Sequence, residues 1–363
     1  MTTIFLTINA PSPRIEGKIL NYSYGWQEGG SIQMAREKRS PRELEALWKE
    51  KDMSQGRTVD TMVVILRTRG CCWSKKGGCH MCGYNSASSP VVSSEDLMAQ
   101  LQSAMDRYQN EPFVKIYTSG SFLDEQEIPL DVRDEAFRLF SGTERLLFES
   151  RPEFVNCETV AGLPGQVTVA LGLESANDTI LQESINKGFS VADHRRAAQV
   201  LQDAGLGIRN YVLLKPPYLS ERIAIRDALE TIRFASPYST EISVNPLNVQ
   251  RGTVVERLWK RAEYRPPWIW SLMKVMEEGW TEGGPRIMSS PSGGGTARGV
   301  HNCGSCDQDL LKAIERFSFN QDVGELQGHD CDCLGTWERT MEAETALGTS
   351  VDLDRGLKND LAV

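Results

Sequence analysis

Met62-Val-Val-Ile-Leu66, followed two residues later by Arg69-Gly-Cys-Cys-Trp-Ser-Lys-Lys-Gly-Gly-Cys-His-Met-Cys-Gly-Tyr84, is the stretch that decides the fold. The unbroken apolar run predicts a strand covered on both faces. The loop behind it sets four thiols among Gly70, Gly77 and Gly78, a composition suited to close backbone approach rather than packing. Cys79 and Cys82 are spaced so that one turn of chain can hold two thiolates on one centre. A third thiolate comes from Cys71 or Cys72. Three cysteine ligands fit a 4Fe-4S cluster with one iron left open. Zinc with His80 as fourth ligand is the competing reading.

Outward from this loop the pattern repeats. Strands are predicted at Phe113–Tyr117, Arg145–Phe148, Gln166–Leu171, Ile208–Leu214 and Glu241–Asn245. They end in Thr118-Ser-Gly-Ser121, Glu149-Ser-Arg-Pro152, Gly172-Leu-Glu-Ser175, Lys215-Pro-Pro217 and Asn245-Pro246. Helices are predicted from Ser94 and over 131–140, 153–161, 191–204, 221–234 and 252–263. Six strand–helix units predict an α/β fold with a parallel sheet and right-handed crossovers. Six is short of a closed eight-fold barrel, so a partial (β/α)6 barrel is expected, with its chemistry at the carboxyl ends of the strands. The barrel is assigned to 61–280. Residues 1–60 read as an N-terminal extension with a helix over 41–51, capped by Ser40 with Pro41 at its first turn. Residues 281–345 read as a cysteine-rich metal-binding region, entered through a flexible connection at Gly283-Gly-Pro285 and Gly293–Gly295. Residues 346–363 read as a tail.

The 363 residues are 40% hydrophobic and 25% charged, which excludes disordered and fibrous classes. Eight of the nine cysteines fall in two clusters, and residues 1–11 lack an export signal. No apolar run reaches the ~18 residues of a membrane span. The expectation is a cytoplasmic chain with reduced thiols serving as metal ligands. Its net charge of −9 disfavours nucleic-acid binding by the whole surface. The basic runs at 35–42 and 251–265 read as solvated helix faces.

Cys303, Cys306, Cys331 and Cys333 form two close pairs, the usual layout of a four-thiolate zinc site; an auxiliary 4Fe-4S cluster is the rival. His301 and His329 are expected beside that site rather than in it. Cys157, alone in a predicted helix, reads as a core thiol.

A three-cysteine loop after the first strand of a partial barrel resembles the radical S-adenosylmethionine superfamily. The commonest spacing there is C-x3-C-x2-C, and this chain has C-x7-C-x2-C if Cys71 is a ligand. That longer spacing, with Gly-Gly-Cys-His-Met-Cys-Gly-Tyr84, resembles the archaeosine-synthase radical subunits, relatives of the elongator radical domain. Their Gly-Cys-x-Trp register implies Cys71 with Trp73 in place, and Cys72 is the alternative. The resemblance implies a 4Fe-4S cluster whose open iron chelates S-adenosylmethionine, and a 5′-deoxyadenosyl radical that abstracts hydrogen. It implies cofactor contacts at Met81, Tyr84, Ser119, Gly120, Ser121, Glu149 and Arg151, the last for the methionine carboxylate. Glu174 and Lys215 are then the catalytic candidates, and Lys187 a substrate or phosphate contact. Asn245, Gln250 and Arg251 read equally as substrate contacts or as a helix cap. The implied reaction is a carbon–nitrogen lyase step on tRNA carrying a lysine-modified 7-deazaguanine at position 15. The implied partners are tRNA, a lysine-transferring archaeosine synthase and an electron donor, with no membrane. Elongator-like acetyl transfer, disfavoured by the few residues after 345, and a non-catalytic metal-stabilised tRNA-binding module are the competing classes.

Overall fold

The computed structural model describes residues 40–347. Expectations for 1–39 and 348–363, including most of the N-terminal extension, the start of the basic run at 35 and the tail beyond 347, lie outside the described residues. The first element is a hairpin, β1 (Ala46–Ser54) and β2 (Arg57–Ile65), paired from Ser54↔Arg57 to Ala46↔Ile65. Gln55 (φ 49°) and Gly56 (φ 75°) make the left-handed two-residue turn that such hairpins require. The helix predicted over 41–51 is therefore absent: 41–45 is turn and bend, and strand β1 begins at Ala46. Asp52 and Ser54 are buried while Lys49 and Lys51 are exposed, a period of two that a helix does not serve.

From β2 onward every pairing is parallel and sequential: β3 (Phe113–Tyr117), β4 (Arg145–Ser150), β5 (Val167–Glu174), β6 (Gly207–Leu214), β7 (Glu241–Pro246) and β8 (Arg286–Met288). The crossovers carry α1 (Ser94–Met105), α2 (Leu130–Leu139), α3 (Cys157–Val160), α4 (Val191–Asp203), α5 (Glu221–Ala235), α6 (Val254–Lys260) and α7 (Ile269–Gly279). A π-helical turn, Ile180–Ile185, precedes α4. Then α8 (Asp307–Asn320) and α9 (Leu334–Leu347) follow the sheet. The expected partial barrel is present, with one parallel strand more than the six read from sequence. That strand, β8, lies in the segment predicted to be a flexible connection. It pairs through Glu241↔Arg286 to Ser243↔Met288, and the glycine turns behind it are pinned by Asn248 Nδ2 donating to the Ser292 carbonyl and Val249 N–H to Arg298.

Two large apolar clusters fill the space between sheet and helices, one around Val64, Ile116 and Phe148, the other around Val212, Val244 and Met276. The opposite face of the strands carries a small layer, Val59, Phe113, Leu147 and Ala170, topped by Tyr117 and Tyr211. Below that layer lies a buried ionic floor. Arg145 grips Glu241 with both Nη atoms (2.9 and 2.8 Å), and Arg209 reaches Glu241 (2.7 Å) and Asp52 (3.2 Å). Lys115 lies 2.7 Å from Asp52. Arg286 of β8 meets Asp52 of β1 at 3.0 Å, so the two edge strands are joined by an ion pair. No helix among the described residues is long and apolar enough to cross a membrane.

Candidate active site

At the carboxyl ends of the strands the cysteine loop is clamped by the segment 184–188. Trp73 Nε1 donates to the Asn186 carbonyl (2.8 Å), and Asn186 Nδ2 donates to the Gly78 carbonyl (2.7 Å). The Trp73 ring lies flat on Gly188, where a Cβ would stand 2.4 Å from it, so only glycine fits. His80 N–H donates to the Ile185 carbonyl, and its Nδ1 pairs with the Ser184 carbonyl, both at 2.8 Å. On the other side Gln250 accepts from Gly83 N–H at 2.5 Å.

Within this frame the thiols divide. The charges acting most strongly on Cys79 include Cys71, and those on Cys82 include both Cys79 and Cys71. Cys72 also lies near Cys71 and Arg151, and has the acids Asp124 and Glu153 beside it as well. Burial pushes all three of Cys72, Cys79 and Cys82 up, Cys82 to about 11; around Cys79 the opposing cations are Lys187 and Arg151. Among the described residues, the ligand atoms that converge within 4.8 Å of one another are those of Cys303, Cys306, Cys331 and Cys333. The C-terminal tetrad has Sγ···Sγ separations of 3.9, 3.7 and 3.6 Å. Four thiolates sharing one ion at 2.3 Å stand about 3.8 Å apart. In a cubane each thiolate holds a different iron, so its sulfurs stand farther apart. Hydrogen bonds from the backbone of Cys306 and Ser305 pull the Cys303 thiol down to about 6, while burial pushes Cys306 and Cys333 up. His301 and His329 bond to the carbonyls of Gly299 and Glu325 and stay outside the tetrad. Cys157, expected in the core, is exposed; the single-turn α3 buries Val160 instead.

The strand-end residues gather around a recess. Glu149, Tyr117 and Tyr211 keep open surface although they sit inside the ring of strands. Tyr84 is 60% exposed, yet its phenol stands among Glu149, Cys82, Glu174 and Gln250, so its open side faces a protein-walled space. Burial and the Glu149 carboxyl push that phenol up to about 12. Burial likewise raises the Glu149 carboxyl to about 7, with Tyr211 beside it and no ion pair of its own among the described residues. Glu174 follows an irregularity in the β5–β6 register and has φ 69°, a strained geometry for a non-glycine residue. It pairs with Lys187 at 2.8 Å. Ser119 Oγ donates to the Tyr84 carbonyl (3.3 Å), and Ser121 Oγ accepts from Arg151 N–H (3.0 Å). Arg151 itself is a brace: its guanidinium donates to Glu153 (2.5 Å) and to the Lys187 carbonyl (2.9 Å), between the Trp73 and Phe189 rings. Met81 packs on the core of the C-terminal half.

Lys215 goes elsewhere. Its ammonium lies 2.6 Å from Glu221 and above the Tyr264 ring. Glu221 accepts from Trp268 N–H and Ser271, and Ser271 accepts from Trp337. Trp270, beside them on α7, donates to Cys333 at 3.2 Å. Lys215 therefore ties the end of β6 to the tetrad region rather than lining the recess. The sequence reading missed Glu127, which lies in the acidic turn Leu-Asp-Glu-Gln-Glu127; nothing in that run marks which acid turns inward.

Among proteins of known role, the chain is 40% identical over 313 residues to archaeosine synthase subunit beta of Methanosarcina acetivorans, covering 82% of this chain and 90% of that one. It is 38% identical over 312 residues to archaeosine synthase subunit beta of Thermococcus kodakarensis, covering 81% and 96%. Among solved structures, it is similar to the archaeal Methanocaldococcus infernus Elp3 with an N-terminal deletion, at TM-score 0.45 and 16% identity over 71% of this chain and 64% of that one. No family model matches the chain.

Proposed function

The chain belongs to the archaeosine synthase subunit beta family, and on that premise we propose that it is the radical S-adenosylmethionine component of archaeosine formation on tRNA. In this reading it cleaves the lysine carbon–nitrogen bond of the lysine-modified 7-deazaguanine at position 15, alongside the lysine-transferring synthase subunit and an external electron donor. The observation that carries the reading is the 40% identity over 313 residues to an archaeosine synthase subunit beta, together with a cysteine loop clamped at the carboxyl ends of the strands through Trp73 and Asn186. When bound, a 4Fe-4S cluster with S-adenosylmethionine supplies one-electron cleavage and hydrogen abstraction.

The chain's own residues do the rest. Cys71, Cys79 and Cys82 are the proposed cluster ligands, and Cys72 is the spare thiol. Trp73, Asn186 and Gly188 fix the loop's orientation and screen it from water. Ser119 and the Gly120 backbone lie at the strand ends where S-adenosylmethionine would be held, and the buried Ser121 braces that turn through Glu127 and Arg151 N–H. Lys187 offers its ammonium between Glu174 and Cys79, which suits a carboxylate or phosphate group. Glu149 holds its proton near neutral pH beside Tyr211, within the recess. Cys303, Cys306, Cys331 and Cys333 are proposed to hold zinc, since their sulfurs have the spacing of one tetrahedral ion.

The test is anaerobic reconstitution with iron and sulfide, a strong reductant, S-adenosylmethionine and lysine-modified tRNA. The expected products are 5′-deoxyadenosine and archaeosine-bearing tRNA, from protein that carries zinc as well as iron. An iron-loaded chain that forms no 5′-deoxyadenosine contradicts the reading.

A further inference from the structure

Glu127 lies between β3 and α2, is 2% exposed, and has no ion-pair partner among the described residues. A buried carboxylate is costly unless its lone pairs are filled. Here two donors converge on it: Thr68 Oγ1 donates to Oε1 (2.5 Å) and Ser121 N–H donates to Oε2 (2.6 Å). The Thr68 oxygen in turn accepts from Gly70 N–H (3.1 Å), and on the neighbouring turn Thr118 accepts from Gly120 N–H (3.2 Å). Both glycines lie on backbone next to the cysteine loop. Gly70 precedes Cys71. Gly120 packs on it so closely that a Cβ would stand 2.6 Å from Cys71 Cα and 2.3 Å from Glu127 Oε2. Ser121 continues the network to β4 by accepting from Arg151 N–H.

We propose that Glu127 is a positioning residue: its carboxylate bolts the Thr118–Ser121 turn to the root of the cysteine loop and so sets where S-adenosylmethionine meets the cluster. This deepens the reading above and rests on it. Glu127 is not aimed at the recess, since all its donors are protein groups. It acts through the spacing between two segments whose other direct tie is the Ser119 hydroxyl on the Tyr84 carbonyl.

The experiment compares Glu127→Ala, Glu127→Gln and Thr68→Val with the wild-type full chain, all reconstituted anaerobically. Iron per chain, S-adenosylmethionine affinity by equilibrium dialysis, and the change in the reduced cluster's EPR signal on adding S-adenosylmethionine are measured. Glu127→Ala should keep its iron, bind S-adenosylmethionine about tenfold more weakly and lose much of the EPR change. Glu127→Gln, which keeps one acceptor, should recover most of the affinity. Thr68→Val, which removes one donor, should cost about threefold. A Glu127→Ala chain with wild-type affinity and EPR change overturns this proposal alone. Joint loss of iron and S-adenosylmethionine binding in both Glu127 variants, with Thr68→Val unaffected, overturns it too by making Glu127 a folding residue. A wild-type chain that takes up iron but binds no S-adenosylmethionine overturns the preceding reading together with this one.

Discussion

The two ends of this barrel use the same side chains for opposite ends. The floor and the mouth lie on one inner face of the strands, so β4 carries Arg145 below, Leu147 between and Glu149 above. At the floor every acid has its cations. Burial alone would raise Asp52 and Glu241, but Arg209 and Lys115 beside the first, and Arg209 and Arg145 beside the second, hold both below the usual carboxylate range. At the mouth Glu149 keeps some open surface, has no cation of its own and rises to about 7. Lys187 is already paired with Glu174. Acids that complete one another within the fold belong to stability. An acid left with a hydroxyl and open space belongs to a ligand.

The contrast breaks most visibly at the floor. Arg209→Met removes a buried guanidinium from two carboxylates and should destabilise the protein by about 3–5 kcal/mol in denaturant titration. The folded fraction should still bind S-adenosylmethionine normally. If binding falls in step with stability, floor and mouth are one unit and the distinction fails. A smaller effect separates the ends by pH. Asp52 has a depressed pKa, so its stabilisation is present above the unfolded value near 4 and is lost as pH falls further. Asp52→Asn should therefore be most damaging at neutral pH and least in acid. Glu149 has a raised pKa, so its contribution is present below the unfolded value of about 4.3 and is lost as pH rises through about 7. Glu149→Gln should gain on wild type over that window, by about 2 °C in Tm once water at its open side is allowed for. Parallel pH profiles for the two variants would show that the acids do not differ.

How much of this was legible in the sequence follows the same division. The parallel strands β2 to β7 announce themselves because strands covered on both faces read as apolar runs, and the strand-end motifs follow from that register. The tetrad was legible from spacing alone. Strand β1 was not, because Ser40-Pro41 mimics a helix start and the deciding signal is the Gln55-Gly56 turn further on. Short β8 was hidden by the glycines around it. Lys215 pointed to the mouth by position, but its side chain turns to Glu221, a partner supplied by tertiary packing. Glu127 carries no periodic signal at all, since a buried acid in an acidic turn looks like its exposed neighbours.

The account turns on which thiols the mouth presents, and Cys71→Ala against Cys72→Ala tests that most directly. After identical anaerobic reconstitution, iron per chain and the cluster's visible absorption are measured for both. Cys72→Ala should match wild type and Cys71→Ala should lose the cluster, because Cys71 is the thiol whose backbone packs on Gly120 of the strand-end turn. A cluster retained in Cys71→Ala and lost in Cys72→Ala would contradict the account.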